Sequence, residues 1–158
     1  MHNIAIAEAA SAADIRQAAA LFRAYAASLP FDLAFQNFAA ELAGLPGPYA
    51  PPGGCLLLAR AAAGPVGIVA VKPLAPEVAE IKRLYVVPAA RGAGLGRRLL
   101  EAAIGRARRI GYVRIRLDSH REHMAAAIAL YRRLGFTEIP PYGPDLGGAL
   151  AFFEKQLG

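Results

Sequence analysis

At 158 residues the chain is long enough to bury a core without disulfide staples, and its single cysteine, Cys55, excludes an internal disulfide while no Cys/His cluster has the spacing of a structural zinc site. The N-terminal stretch carries Glu8 in its apolar part with no basic segment before it, and Arg60 and Gly64-Pro65 interrupt the most apolar region, Leu56–Val71, so neither a signal peptide nor a membrane span is expected and residues 1–158 read as one soluble, cytoplasmic domain. The formal net charge of +6 is concentrated between Lys82 and Arg133, where Glu101, Asp118 and Glu122 are the only acids; with no basic run interleaved with aromatics, this favours a phosphorylated ligand over nucleic acid.

Ile4 and Ile6 alternate with polar or small neighbours over Asn3–Glu8, the period of a short strand. Ser11 and Asp14 form a capping-box signature, and Ile15, Leu21 or Phe22, Tyr25 and Leu29 follow at helical spacing up to Pro30. Phe35, Phe38 and Leu42 give a second, short apolar helix face closed by Gly44, and the loop at 45–54, LPGPYAPPGG, is expected to be non-helical. Cys55–Ala59 and Val66–Val71 read as a hairpin around a turn containing Gly64-Pro65, and Glu77–Val87 as a long strand that Pro88 ends. A helix from about Leu95 to Ile110 stops at Gly111. Tyr112–Asp118 alternates Val113, Ile115 and Leu117 with Arg114 and Arg116, a strand with one apolar face. Ala125–Leu134 is a helix ended by Gly135, and Phe136–Ile139 and Ala149–Glu154 are closing strands around the loop at 140–148. The order is β-α-α-β-β-β-α-β-α-β-β, a mixed α/β fold.

The stretch PAARGAGLGRRLLEAAI at 88–104 places Gly92, Gly94 and Gly96 directly before a helix. Glycines cost entropy on folding, so three of them at a helix start imply close approach of something to backbone amides that suit an anion. A Walker loop requires Lys-Ser/Thr after its last glycine, and here Arg97-Arg98 follow Gly96. A dinucleotide fingerprint requires a third glycine where Arg97 stands and an acid about twenty positions on, where Arg116 and Leu117 stand. What remains is Arg-x-x-Gly-x-Gly after a strand and opening a helix. With LYVVP at 84–88 before it and ALYRRLGF at 129–136 after it, in that order, the chain resembles the Gcn5-related N-acetyltransferase (GNAT) superfamily over nearly its whole length.

The resemblance implies a mostly antiparallel central sheet flanked by about four helices and direct transfer of an acetyl group from acetyl-coenzyme A to a primary amine. A non-catalytic acyl-coenzyme A sensor of the same fold is the alternative. Coenzyme A is expected at Leu84, Tyr85 and Val86, whose strand splays from its neighbour and leaves backbone groups for the pantetheine arm. Its pyrophosphate is expected at Arg91, Gly92, Ala93, Gly94, Leu95, Gly96 and Arg97, with Arg98, Arg132 and Arg133 as further phosphate partners or solvated helix faces. Tyr131 takes the family position of the acid that protonates the thiolate, or packs between Ile128 and Leu134. Glu80, four residues before Leu84 and so placed on the same face by alternation, is the expected base, with Asp118 its rival. Met124 stands where many relatives have an asparagine. Phe31, Phe35, Arg83, Asp118, His120 and Tyr142 are the acceptor-side residues, together with Tyr49. The acceptor stays open between a small amine, an amino acid and a protein terminus. Cys55, opening an apolar strand, is expected to be packing rather than an acyl carrier. No metal is expected; a homodimer is, from the sheet edges and the apolar final strand at 149–153 and as the resemblance implies.

Overall fold

The computed structural model describes residues 3–158. Ala5–Glu8 (β1) is followed by Ala12–Ser28 (α1), whose capping box forms as expected: the Asp14 N–H donates to Ser11 Oγ at 3.1 Å and Asp14 Oδ2 accepts from the Ser11 N–H at 3.1 Å. The second helical stretch is broken in two by Asn37, which sits at φ 58, so Phe35 belongs to a 3-10 turn at Leu33–Gln36 and Phe38 and Leu42 to a helix at Phe38–Ala43 (α2). The loop expected to be non-helical holds a 3-10 turn at Gly47–Tyr49, which brings the Tyr49 ring into the core beside Phe22, 5.9 Å away.

Cys55–Ala61 (β2), Gly64–Ala75 (β3) and Val78–Val86 (β4) form an antiparallel meander. The β2–β3 turn is tighter than expected: Gly64 already pairs with Ala61, so Gly64-Pro65 begin a strand rather than make the turn. Leu95–Ile110 (α3) crosses over to Arg114–His120 (β5), then Ala125–Arg133 (α4), Thr137–Ile139 (β6) and Leu150–Gln156 (β7) complete the chain. The sheet order is β1-β2-β3-β4-β5-β7-β6, antiparallel throughout except for the β4–β5 pair. This is the mixed, mostly antiparallel architecture with four helices that the sequence implies.

Two expectations about strands are corrected. The alternation puts Val113 with Ile115 and Leu117 on one apolar face, but β5 starts at Arg114; Ile115 and Leu117 are buried and Val113 is 39% exposed. The apolar residues 149–153 do not form an exposed edge, because β6 covers the outer side of β7 and Ala151, Phe152 and Phe153 are buried in the molecule's own core.

Side chains fill both faces of the sheet. On one, α3 lays Leu99, Leu100, Ala103 and Ile104 over Leu57, Val69, Ala79, Ile81, Ile115 and Phe153. On the other, α1 lays Ala18, Leu21 and Phe22 over Leu56, Leu58, Ile68 and Ala70. Strand alternation assigns odd positions of β4 to the α3 face at Ala79 and Ile81, yet further along it is Leu84 and Val86 that pack there, and Tyr85 packs on the α1 face. The parity inverts because one residue of β3, Val69, opposes two of β4, Arg83 and Leu84: Ala70 pairs with Lys82 but Ile68 with Tyr85. The extra residue is Arg83, at φ 61, a β-bulge. The bulge corrects the placing of Glu80 and Leu84 on one face; they lie on opposite faces.

Candidate active site

The strand carrying the bulge also parts from its parallel neighbour. β4 pairs with β5 only from Val78↔Arg114 to Glu80↔Arg116, while β5 runs on to His120 against β7. The Val87 N–H donates to Val66 O at 2.9 Å, so Val86, opposite Gly67, turns its own N–H and C=O away from β3, and Leu84, two residues back, does the same. Both therefore face the gap left by β5. A cleft of about 610 Å³ occupies that gap, with Leu84, Tyr85, Val86 and Arg91 on one wall and Asp118, Ser119, Met124 and Tyr131 on the other.

At the mouth of the cleft the Arg91 Nε donates to Val86 O at 2.8 Å and its guanidinium lies 5.6 Å from the centre of the Tyr85 ring. Gly92 and Gly94 take φ 90 and 78, left-handed backbone that favours glycine, and a Cβ at Gly92, Gly94 or Gly96 would meet nothing within 4 Å. Gly94 is the N-cap of α3 and offers no side chain to the first helical amides, which are left facing outward beside the turn.

Deep in the cleft, Tyr131 is 5% exposed and packs 5.9 Å from Phe136 and 6.1 Å from Phe153. Burial pushes its phenol up to about 12, and the Ser119 hydrogen bond acts in the opposite direction. Ser119 Oγ lies 3.4 Å from Tyr131 Oη and 3.3 Å from Met124 Sδ. When Ser119 donates to the phenol oxygen, the phenol proton remains available to the cleft.

A second cavity of about 260 Å³ adjoins the first, and Gln36, Lys82, Arg83 and Asp118 border both. Its other walls include Phe35, Lys72, Glu80, Tyr142 and Phe152. The Tyr142 hydroxyl donates to Glu80 Oε2 at 2.7 Å, and Glu80 itself is 4% exposed. Arg83, turned toward α2 by the bulge, places Nε and Nη2 on the two oxygens of Glu41 at 2.9 and 2.7 Å and Nη1 on Gln36 Oε1 at 2.7 Å. Burial alone would raise the Glu41 carboxyl; the guanidinium outweighs it and holds the group below the usual range. Among the described residues no group of three His, Cys, Asp or Glu side chains is arranged to hold a metal ion, and no helix is long and apolar enough to cross a membrane.

Residues 18–136 match the acetyltransferase (GNAT) family. The chain belongs to that family. An N-acetyltransferase of Schizosaccharomyces pombe, itself uncharacterized, is 37% identical over 142 residues, spanning 89% of this GNAT chain and 86% of its own. A GNAT acetyltransferase of Staphylococcus aureus Mu50 superposes with a TM-score of 0.81 at 21% identity over 99% of this chain and 100% of that one. The PaiA N-acetyltransferase of Thermoplasma acidophilum, solved in complex with coenzyme A, superposes with a TM-score of 0.73 at 21% identity over 98% and 99%.

The GNAT fold brings most of the expected site together and separates some of it. Leu84, Tyr85, Val86, Arg91, Arg83, Asp118 and Tyr131 line the first cleft, and Phe35, Glu80, Arg83, Asp118 and Tyr142 the second cavity. Phe31 and His120 line neither: their rings stack at 5.0 Å, with His123 4.5 Å from His120. Tyr49 is buried and donates to Glu41 Oε2, which makes it a core residue rather than an acceptor wall. The Leu95 side chain is buried under the sheet, so only its backbone can serve a ligand. Arg97 is paired with Glu101 and Arg132 with Glu138, both on exposed faces, and Arg98 donates to Ile4 O. Lys72, Lys82, Gln36 and Ser119 join the site without having been expected there. Lys82 carries a signal in the sequence, a charge alternating with Glu80 inside an apolar strand; Ser119 lies one residue beyond the expected end of β5.

Proposed function

We propose that this protein transfers an acetyl group from acetyl-coenzyme A directly to a primary amine. The observation that carries the reading is the shared border of the two cavities: Tyr131 and strand backbone turned away from β3 line one, the carboxylates of Glu41, Glu80 and Asp118 line the other, and Asp118 belongs to both. The residues present fit the coenzyme, since the backbone of Leu84 and Val86 faces the gap and the positive-φ turn at Gly92 and Gly94 has open space where a Cβ would stand. When bound, acetyl-coenzyme A supplies an acyl thioester. Leu84 and Val86 would hold the pantetheine arm by backbone hydrogen bonds, and the amides from Gly92 to Gly96, at the positive end of α3, would hold the pyrophosphate. Arg91, now on Val86 O, borders that path.

Tyr131 keeps a proton at Oη through neutral pH and presents it where a thiolate departs. A free alkyl amine near neutrality is mostly cationic, so a base, a carboxylate acting directly or through a water chain, must take a proton from it. Asp118 borders both cavities with neither oxygen engaged in a hydrogen bond among the described residues, whereas Glu80 borders only the second and has Oε2 on Tyr142. Asp118 is therefore the better placed base, with Glu80 one strand away. Cys55 is fully buried and its thiol is pushed up to about 11 by burial, which supports transfer without an acyl-enzyme. The same reading includes a single domain over 1–158, a cytoplasmic location consistent with a free cysteine, and a homodimer through the outer edge of β6.

Thiol release from acetyl-coenzyme A across an amine panel tests the reaction, with calorimetry for binding. No coenzyme binding at submillimolar concentration refutes it; binding without turnover for any amine converts it to an acyl-coenzyme A sensor. Asp118→Asn should lower the rate most at low pH, where fewer amines are already neutral, and a larger defect in Glu80→Gln would return the role to Glu80. Sedimentation showing only monomer at micromolar concentration would remove the homodimer.

A further inference from the structure

Six charged side chains line the second cavity: Glu41, Lys72, Glu80, Lys82, Arg83 and Asp118. Arg83 and Glu41 are engaged with one another at 2.7 Å, with Gln36 and Tyr49 on the same groups, so their principal hydrogen bonds are already made within the protein. The other four are differently placed. Lys72 Nζ is 3.6 Å from Glu80 Oε1, and Lys82 Nζ is 3.6 Å from Asp118 Oδ2, both too long for a hydrogen bond. Among the described residues Lys72 donates no hydrogen bond, Lys82 donates one at 3.3 Å to Gln36, Asp118 accepts none and Glu80 accepts one from Tyr142. Yet these side chains are only 30% (Lys72), 5% (Glu80), 11% (Lys82) and 16% (Asp118) exposed.

The four form two loose ion pairs with few hydrogen bonds, an arrangement that recovers little of the cost of half-burying charge, whereas the neighbouring Arg83–Glu41 pair on the same sheet face is closely hydrogen-bonded. A cationic ligand would take the two carboxylates from their lysines and leave the lysines without a counter-charge; an anionic one would do the reverse. Only a ligand bearing both signs meets all four. Resting on the acetyl-transfer reading, we propose that the acceptor is a small amino acid-like molecule that carries a carboxylate together with its amine. Asp118 borders both cavities and takes the amine end, next to the cleft; Lys72 borders only the second cavity and takes the carboxylate. Phe35 and Phe152, on the walls, suit an apolar side chain. A volume of about 260 Å³ accommodates a free amino acid rather than a folded partner's surface.

The test compares L-alanine, L-methionine and L-phenylalanine with their amides and with 2-phenylethylamine, by thiol release from acetyl-coenzyme A, in wild type and Lys72→Met. The acids should exceed their amides roughly 10- to 100-fold in kcat/KM, the scale of a hydrogen bond to a charged group, and Lys72→Met should erase that ratio while leaving acetyl-coenzyme A affinity, read by calorimetry, unchanged. Amides or 2-phenylethylamine turned over as well as the acids, or a ratio surviving Lys72→Met, overturns the inference and leaves acetyl transfer standing. Calorimetry of the acids and amides at saturating coenzyme A separates the other failure: an acid bound more tightly than its amide without any turnover upholds the site and removes the transfer reading, and equal or absent binding of both overturns the site.

Discussion

Replacing Arg83 by Met tests whether the bulge residue holds the α2 side of the site. The substitution keeps an unbranched chain against Phe38 and Tyr25, whose ring centres lie 5.1 and 5.9 Å from the guanidinium carbon. It removes three hydrogen bonds of 2.7 to 2.9 Å and leaves Glu41, whose side chain is 13% exposed, with the Tyr49 hydroxyl alone. Removing one partner of a buried pair costs about 3–5 kcal/mol, a large share of the about 5–15 kcal/mol that holds a domain folded. Methionine and arginine tolerate φ 61 about equally badly, so backbone strain cancels in the comparison. In wild type the Glu41 carboxyl lies below its ordinary value, so the pair's contribution is present above the unfolded carboxyl's range near 4.5 and is lost as pH falls through the folded value. Without Arg83, burial raises the Glu41 carboxyl, so the deficit of Arg83→Met should be largest at high pH, begin to shrink as pH falls through that raised value, and be smallest once Glu41 is protonated in both proteins. Urea unfolding followed by far-ultraviolet circular dichroism measures it, since the chain has no tryptophan. The double variant Arg83→Met/Glu41→Met, which leaves no buried charge, should be more stable than Arg83→Met alone. A deficit under about 1 kcal/mol, or one that does not change with pH, would refute the ion-pair account.

Tyr131→Phe keeps the ring and removes the hydroxyl, so turnover should fall about 10²- to 10⁴-fold with coenzyme affinity unchanged; full turnover would make the tyrosine a packing residue. The same variant has a stability signature: the phenol ionises near 10 unfolded and about 12 folded, so the stability from its burial is intact below pH 10 and is lost as pH rises through 12. Wild type should lose more stability than Tyr131→Phe over that window. Gly96, helical and with open space at its Cβ, should become more stable by up to about 1 kcal/mol as Ala yet bind coenzyme A more weakly, whereas Gly94→Ala should lose both because of φ 78; unchanged affinity in both would detach the turn from the coenzyme. Cys55 should stay unreactive toward a disulfide reagent until urea unfolds the protein; fast labelling of the native state would contradict its burial.

What is legible in the sequence is what local rules govern. The Ser11 capping box, the Gly111 stop and the glycine turn each depend on residues a few positions apart, and each appears as read. Arg83 obeys no such rule. An arginine at φ 61 is not favoured by its own backbone; it is held there by Glu41 and Gln36, more than forty residues earlier in the chain, and no periodicity carries that information. The misplacing of Glu80 relative to Leu84 follows from assuming unbroken alternation across that position. The Val113 error is of the opposite kind, a local apolar pattern overridden by where the α3–β5 turn ends. Phe31 and His120 are expected on the acceptor walls through the resemblance alone; their rings stack on one another and line neither cavity.

The inserted residue connects the two halves of the site. Without it, Leu84 and Val86 would turn to the face now carrying Glu80 and Lys82, and the Tyr85 ring would leave the α1 core. With it, β4 bends just past Glu80, the last residue paired to β5, and the cleft opens where the pairing stops. A glycine would adopt φ 61 at no steric cost, but it would carry no guanidinium. Arginine there accepts roughly 1–2 kcal/mol of backbone strain and uses the altered direction of its side chain to tie down Gln36 and Glu41, which wall the second cavity. The strain is confined to one residue, whereas breaking the buried pair would leave a carboxylate without its cation, so the pair outweighs the strain. The strand distortion that exposes backbone to the first cleft is thus stabilised by contacts that shape the second, and neither cavity can be altered at Arg83 without disturbing the other.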